Sequence, residues 1–144
     1  MQKTDNRTTG GKFEQVMSSM LADHGFWSHV LQQNKSGQPA DIIAVKGKYH
    51  TLIDCKVISD HDGFPLSRVE ENQRLAMKRF MERGGECGWF ALKLPDDTVW
   101  MVSITTIGFI EKQGVKSIPE KLIREKLWSV EEWLKAADEW SKDI

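Results

Sequence analysis

The chain has 144 residues, 40% of them hydrophobic, and a formal net charge of −1. That length suits a single globular domain over 1–144 with its own core, and the balanced charge excludes a globally basic nucleic-acid binder, so any DNA contact needs a local patch. No apolar run approaches the roughly 18–20 residues of a membrane span, and the start, MQKTDNRTTGGK, lacks the apolar stretch of a secretion signal, so a cytoplasmic protein without a membrane partner is expected.

Residues 1–10 are polar and Gly-containing and read as a flexible arm before a core over 11–104. Phe13, Val16, Met17, Met20 and Leu21 recur at helical spacing, and Gly25 supplies a stop. FWSHVLQ (26–32) alternates weakly as a strand, NKSGQP is a loop, DIIAV (41–45) is short and β-branched, and KGK turns the chain into YHTLIDCKVI (49–58). The simplest arrangement of these three strands is a meander. After the loop SDHDGFPL (59–66), Ser67 and Glu70 have the spacing of a capping box for a second helix that stops at Gly84-Gly85. CGWFALKL and TVWMVSI flank PDD as a hairpin. Residues 105–144 form a helical extension, with Pro119 near one helix start and a second capping box at Ser129 and Glu132. The sum is an α/β sandwich, a mixed sheet of about five strands flanked by helices. Trp128, Trp133 and Trp140 with Leu134 and Ala137 make an apolar stripe that fits either core packing or a dimer surface.

The second strand of the meander carries the sequence's main anomaly. Alternation sends Asp54 and Lys56 to one face and Ile53, Cys55 and Val57 to the other. A buried carboxylate needs a counter-charge, strong hydrogen bonds or a cation. If DIIAV and TLIDCK are neighbours, Asp41 comes close to Asp54 across the sheet, and two carboxylates with a lysine make a hard-oxygen site suited to Mg²⁺ or Mn²⁺. Such parts serve phosphodiester hydrolysis, with the lysine positioning water or stabilising charge on the phosphate. The plainer alternative is a solvated face with a surface ion pair. Two helical residues bear on the choice: Glu14, on the rim of the first helix's apolar stripe, and Gln73. The latter lies among Val69, Ala76, Met77 and Phe80, so it faces inward and needs a partner. Cys55 and Cys87, the only two cysteines, have no second Cys or His at ligand spacing, which argues against zinc and for reduced thiols.

GQPADIIAVKGKYHTLIDCK resembles the signature segment of the PD-(D/E)xK nucleases, with Ala40-Asp41 in place of Pro-Asp and Asp54-Cys55-Lys56 as the (D/E)xK. GKFE (11–14) matches the helix bearing the family's first acidic residue. GFPLSRVEENQ (63–73) is similar to the Phe-Pro-Leu loop and His-Gln helix of RecU-type Holliday junction resolvases, with Asn72 at the His position. The likeness covers about residues 6–104, and the short stretch before Asp41 leaves no room for a RecU stalk, so a compact archaeal or phage-type form is implied. It implies a restriction-endonuclease-like fold and an Mg²⁺-dependent endonuclease, Mn²⁺ substituting. Such an enzyme cuts four-way DNA junctions as a homodimer in a bacterium or a phage-infected one, without a small-molecule cofactor.

In the site so implied, Asp41, Asp54 and the Cys55 carbonyl bind the ion, and Glu14 completes the shell, directly or through water. Lys56 orients the attacking hydroxide and Gln73 supports the site. Charge nominates Arg7, Lys12, Lys35, Arg68, Arg74 and Lys78 as DNA contacts. The alternatives are a nuclease of this superfamily acting on duplex, flaps or ends, and a non-catalytic DNA-binding protein.

Overall fold

The computed structural model describes residues 5–32 and 38–142, with side chains from Lys12 onward. The elements run α1 (Asp5–Asp23), β1 (Trp27–Val30), β2 (Ile42–Lys46), β3 (Tyr49–Val57), β4 (Phe64–Pro65) and a 3-10 turn (Leu66–Arg68). They continue with α2 (Glu71–Glu82), β5 (Trp89–Lys93), β6 (Val99–Ser103), α3 (Ile104–Lys112), β7 (Ser117–Ile118), α4 (Glu120–Lys126), β8 (Trp128–Ser129) and α5 (Val130–Trp140).

The main sheet has six strands in the order β1-β2-β3-β5-β6-β8, and β4 and β7 form a separate pair. Its first three strands are the antiparallel meander read from the sequence. β5 joins β3 in parallel because α2 carries the chain back across one face, and β5 and β6 close the expected hairpin. Alternation then builds two cores. On one face Ile42, Ala44, Tyr49, Ile53, Ala91 and Met101 pack with Phe13, Met17 and Leu21 of α1 and Trp133, Leu134 and Ala137 of α5. On the other, Leu52, Phe90, Leu92 and Val102 pack with Met77 of α2, Ile107 of α3 and Ile123 of α4. Burial of Trp133, Leu134 and Ala137 makes the C-terminal stripe core, while Trp128 stays 41% exposed at the sheet edge.

Three local expectations are corrected. α1 begins at Asp5, inside the segment read as an arm, because a helix anchored by Phe13 and Met17 extends towards its N-terminus without a new nucleus. Val16 is 57% exposed, since the helix meets the sheet through Phe13, Met17 and Leu21, with Met20 packed at their margin. Ser67 does not cap α2: it lies in the 3-10 turn, and the extended backbone at Val69 delays the helix so that Glu70 is its cap. The box at Ser129 and Glu132 forms as read, with Ser129 Oγ accepting from Glu132 N at 3.2 Å and Glu132 Oε1 accepting from Ser129 N at 2.9 Å. Gly47, at φ 55, makes the β2–β3 turn, and a Cβ there would strike the Ser141 carbonyl at the end of α5.

Candidate active site

The β2–β3 register pairs Ile42 with Ile53, so Asp41, one residue before β2, stands across from Asp54 and on the same face. Asp41 N donates to the Ile53 carbonyl at 3.1 Å, extending the ladder to the acid. Both oxygens of Asp41 are held: Oδ2 accepts from Cys55 N at 2.7 Å and Oδ1 from Gln38 Nε2 at 3.2 Å. Asp54 is 2% exposed. Its Oδ1 accepts from Gln73 Nε2 at 2.9 Å, while Oδ2 lies 3.0 Å from Lys56 Nζ and is otherwise a buried oxygen with no hydrogen-bond partner.

Gln73 is oriented as well as buried. Its Oε1 accepts from Glu70 N at 3.1 Å, so one amide caps α2 with its oxygen and presents its nitrogen to Asp54. The inward placement expected from helical spacing is what the structure has. Glu14 comes from α1 on the opposite layer and reaches the same cleft where the strands end. The cleft encloses about 320 Å³ and is lined by Glu14, Gln38, Asp41, Asp54, Cys55, Lys56, Arg68, Glu70, Asn72 and Gln73.

Among the described residues, four carboxylates against two cations leave this cleft acidic, and proton affinity responds. Burial, then the charge of Asp41 and hydrogen bonding with it, then the charge of Asp54, raise Glu14 to about 7. Burial and Asp41 likewise raise Asp54 to about 7 against the lowering influence of Lys56. Burial and the three neighbouring carboxylates push the Cys55 thiol well above its ordinary value, so it is neutral and turned into the core beside α1. Cys55 offers the cleft its backbone only.

Among the described residues, no three acid, imidazole or thiol side chains already surround a common point as a finished ligand cage. Like charges hold apart, and Asp41 is drawn to the Cys55 N–H. The chemistry of the donor set nevertheless fits a hard divalent cation: carboxylate oxygens from separate segments of the chain, one of them buried with the Lys56 ammonium as its ion-pair partner, with no neutral nitrogen or thiolate.

The structure thus brings Glu14, Asp41, Cys55, Asp54, Lys56, Gln73 and Arg68 into one cleft. It does not bring Lys12, Arg74 or Lys78 there. Lys12 lines a groove with Phe13, Val16, Met20, Lys93, Asp97 and Val99, and Arg74 is clamped by Glu111 of α3 through bonds of 2.8 and 2.6 Å. Lys78 is on the exposed side of α2. These three departures share a cause: helix positions give a direction, but only tertiary packing decides what lies in it. The Arg7 side chain and Lys35 lie outside the described residues. Sequence reasoning missed Gln38, whose only signal is its position three before Asp41, and the second duty of Glu70 as backbone donor to Gln73.

Comparison with known proteins identifies the family. The model of the family described as archaeal Holliday junction resolvase (Hjc) matches residues 5–137. Among solved structures, Hjc from Archaeoglobus fulgidus, a Holliday junction resolvase from an archaeal hyperthermophile, superposes with a TM-score of 0.65 at 20% identity, covering 87% of this chain and 99% of that one. At that identity the superposition speaks for the fold. No curated protein matches the sequence. The matching family is archaeal, so the bacterial or phage setting and the RecU-type affiliation gain no support, and the compact form is the one found. Among the described residues no helix is long and apolar enough to cross a membrane. By a family match over most of its length and a shared fold, the chain belongs to the archaeal Holliday junction resolvases, metal-dependent nucleases that act on four-way DNA junctions.

Proposed function

We propose that this chain cuts four-way junctions at the cleft where β2 and β3 meet, with Mg²⁺ as the ion and Mn²⁺ as its substitute. The observation that carries the reading is the Asp54 carboxylate. It is buried opposite Asp41, held by Gln73 on one oxygen and 3.0 Å from Lys56 on the other. Asp41, Asp54 and the Cys55 carbonyl hold the ion, with Glu14 joining directly or through water. When bound, Mg²⁺ supplies Lewis-acid polarisation of the phosphate and a lowered pKa of water.

The protein's own groups account for the remaining steps. Lys56, whose ammonium is fixed by Asp54, orients the attacking water and offsets negative charge as the water loses its proton. The water oxygen bonds to phosphorus as its proton passes to bulk solvent, the P–O3′ bond breaks, and O3′ takes a proton from solvent, leaving a 5′-phosphate and a 3′-hydroxyl. Gln73 fixes the carboxylate plane of Asp54. Symmetric cleavage of two strands calls for a homodimer. Lys12 and Lys78, which lie outside the cleft, serve as phosphate contacts on the surface beyond it, and charge alone nominates Arg7 and Lys35 for the same role.

The test is a labelled synthetic four-way junction beside linear duplex of the same sequence, each with Mg²⁺ or EDTA. Paired nicks on the junction alone, abolished by EDTA, support the reading. Equal cutting of the duplex keeps the chemistry and removes junction selectivity, and binding without cutting under any divalent metal overturns the enzyme.

A further inference from the structure

Among the described residues two cations line the cleft, Lys56 and Arg68, and they are held differently. Lys56 is paired with Asp54. Arg68 Nη1 instead donates to a backbone carbonyl, that of Val57, at 3.0 Å, and the guanidinium lies over the Phe64 ring at 6.0 Å from its centroid. Among the described residues Arg68 forms no ion pair, although Arg74 is taken by Glu111 and Arg124 by Asp96 and Glu120. A carbonyl fixes the group's direction but cancels none of its charge. A guanidinium has five N–H donors in a rigid plane, so most of that fork remains to serve a ligand.

The platform beneath it is stiff. Arg68 ends the 3-10 turn that follows β4, and β4 is pinned to β7 through Phe64 opposite Ile118 and Pro65 opposite Ser117. Leu66 N donates to the Lys116 carbonyl at 2.9 Å, and Phe64 is fully buried. Upstream, Gly63 has φ 94 and a Cβ there would collide with the Ile118 carbonyl, so the chain reaches β4 by a path open to glycine. A cation of fixed direction, in a cleft with more acid than base, whose remaining donors are not occupied by any carboxylate among the described residues, suits an oxyanion that presents two oxygens side by side.

We propose that Arg68 is a catalytic residue, its guanidinium fork binding the non-bridging oxygens of the scissile phosphodiester. This rests on the cleft being the cleavage centre and goes beyond general phosphate contact. As the water oxygen bonds to phosphorus and gives up its proton, negative charge builds on those oxygens before the P–O3′ bond breaks and O3′ is protonated. A preorganised guanidinium holds that charge more strongly than it holds the ground-state diester.

Single-turnover cleavage of the labelled junction at saturating protein with Mg²⁺, using wild type, Arg68→Ala and Arg68→Lys, tests this. Junction affinity in EDTA and thermal midpoints are measured alongside. The expected result is a fall in maximal rate of about 10²-fold for Arg68→Ala, with affinity changed less than about threefold. Arg68→Lys stays well below wild type because an ammonium lacks the fork. Added guanidinium ion, at millimolar levels, partly restores Arg68→Ala and does nothing for wild type. Unchanged maximal rate with weakened, salt-sensitive affinity would make Arg68 a positioning contact and overturn the proposal. A rate loss that follows a lowered thermal midpoint and resists guanidinium overturns it in favour of a structural role. A wild type that leaves the junction uncut sinks the cleavage centre and this proposal together, whereas an active wild type with an equally active Arg68→Ala sinks this proposal alone.

Discussion

β3 carries opposite kinds of environment at Tyr49, where it starts, and at Asp54 in its second half, about 17 Å away by strand geometry. At its start Tyr49 meets Trp133 and Trp140, and Trp89 donates its Nε1–H to the Tyr49 hydroxyl at 2.8 Å. Trp133 is fully buried, edge-on to Trp89 and Trp140 at interplanar angles of 75° and 79°. Further along, Asp54 is equally buried, but there burial and the neighbouring Asp41 charge raise its proton affinity. One end lowers the free energy of the fold by burying aromatic surface; the other keeps charges together that the fold alone would not choose. The same strand therefore separates stability from chemistry, and the two should respond differently to mutation.

The largest expected effect is that of Asp54→Asn, which removes a proposed cation ligand and lowers junction cleavage by roughly 10³-fold or more, by comparison with other losses of transition-state electrostatics. Because it also removes a buried like charge, its metal-free thermal midpoint stays at or above that of wild type. A large drop in midpoint would break the comparison. Trp133→Ala does the reverse. It leaves a large void among aromatic neighbours and destabilises by about 3–5 kcal/mol in denaturant titration, while cleavage per folded molecule is retained.

Gln73→Ala joins the two regimes on a smaller scale. It leaves Glu70 N and Asp54 Oδ1 without partners, which lowers stability by about 1–3 kcal/mol and reduces cleavage because the Asp54 plane is no longer set. An unchanged rate would show that Gln73 is only a helix cap. Ser129→Ala, in the cap of α5 at the aromatic end, lowers stability by about 1 kcal/mol and leaves cleavage alone.

The acidic end also gives stability a pH dependence. Glu14 and Asp54 hold protons more tightly folded, at about 7, than at their ordinary values of 4.5 and 3.8. Folding therefore binds protons at these groups. Their contribution is fully present below about pH 4 and is lost as pH rises through about 7. In thermal melts of metal-free protein, Asp54→Asn should flatten part of that decline, and Mg²⁺ should flatten it in wild type. A wild-type profile identical to that of the mutant would remove the titration from Asp54.

Much of this was legible in the sequence because alternation is strict. A period of two puts Asp54 and Lys56 on one face and Ile53 and Cys55 on the other, and a tight Gly47 turn leaves one register that brings Asp41 opposite Asp54. Helical spacing likewise turned Gln73 inward. What was hidden depends on packing between distant segments. The Arg74 bond to Glu111 requires α3 to lie beside α2, and the change of cap from Ser67 to Glu70 follows from a 3-10 turn tied to β7, about fifty residues later. The C-terminal stripe was ambiguous for the same reason, since an apolar helix face does not say which surface it will meet.

Calorimetric titration of Mg²⁺ into metal-free wild type and Asp54→Asn, near pH 7 and in buffers of different ionisation enthalpy, tests the central claim most directly. The account predicts that wild type binds the ion with release of protons from Glu14 and Asp54, seen as a buffer-dependent heat, and that Asp54→Asn loses both binding and that heat. Absence of binding in wild type, or equal binding and proton release in the mutant, would contradict a metal centre at the end of β3.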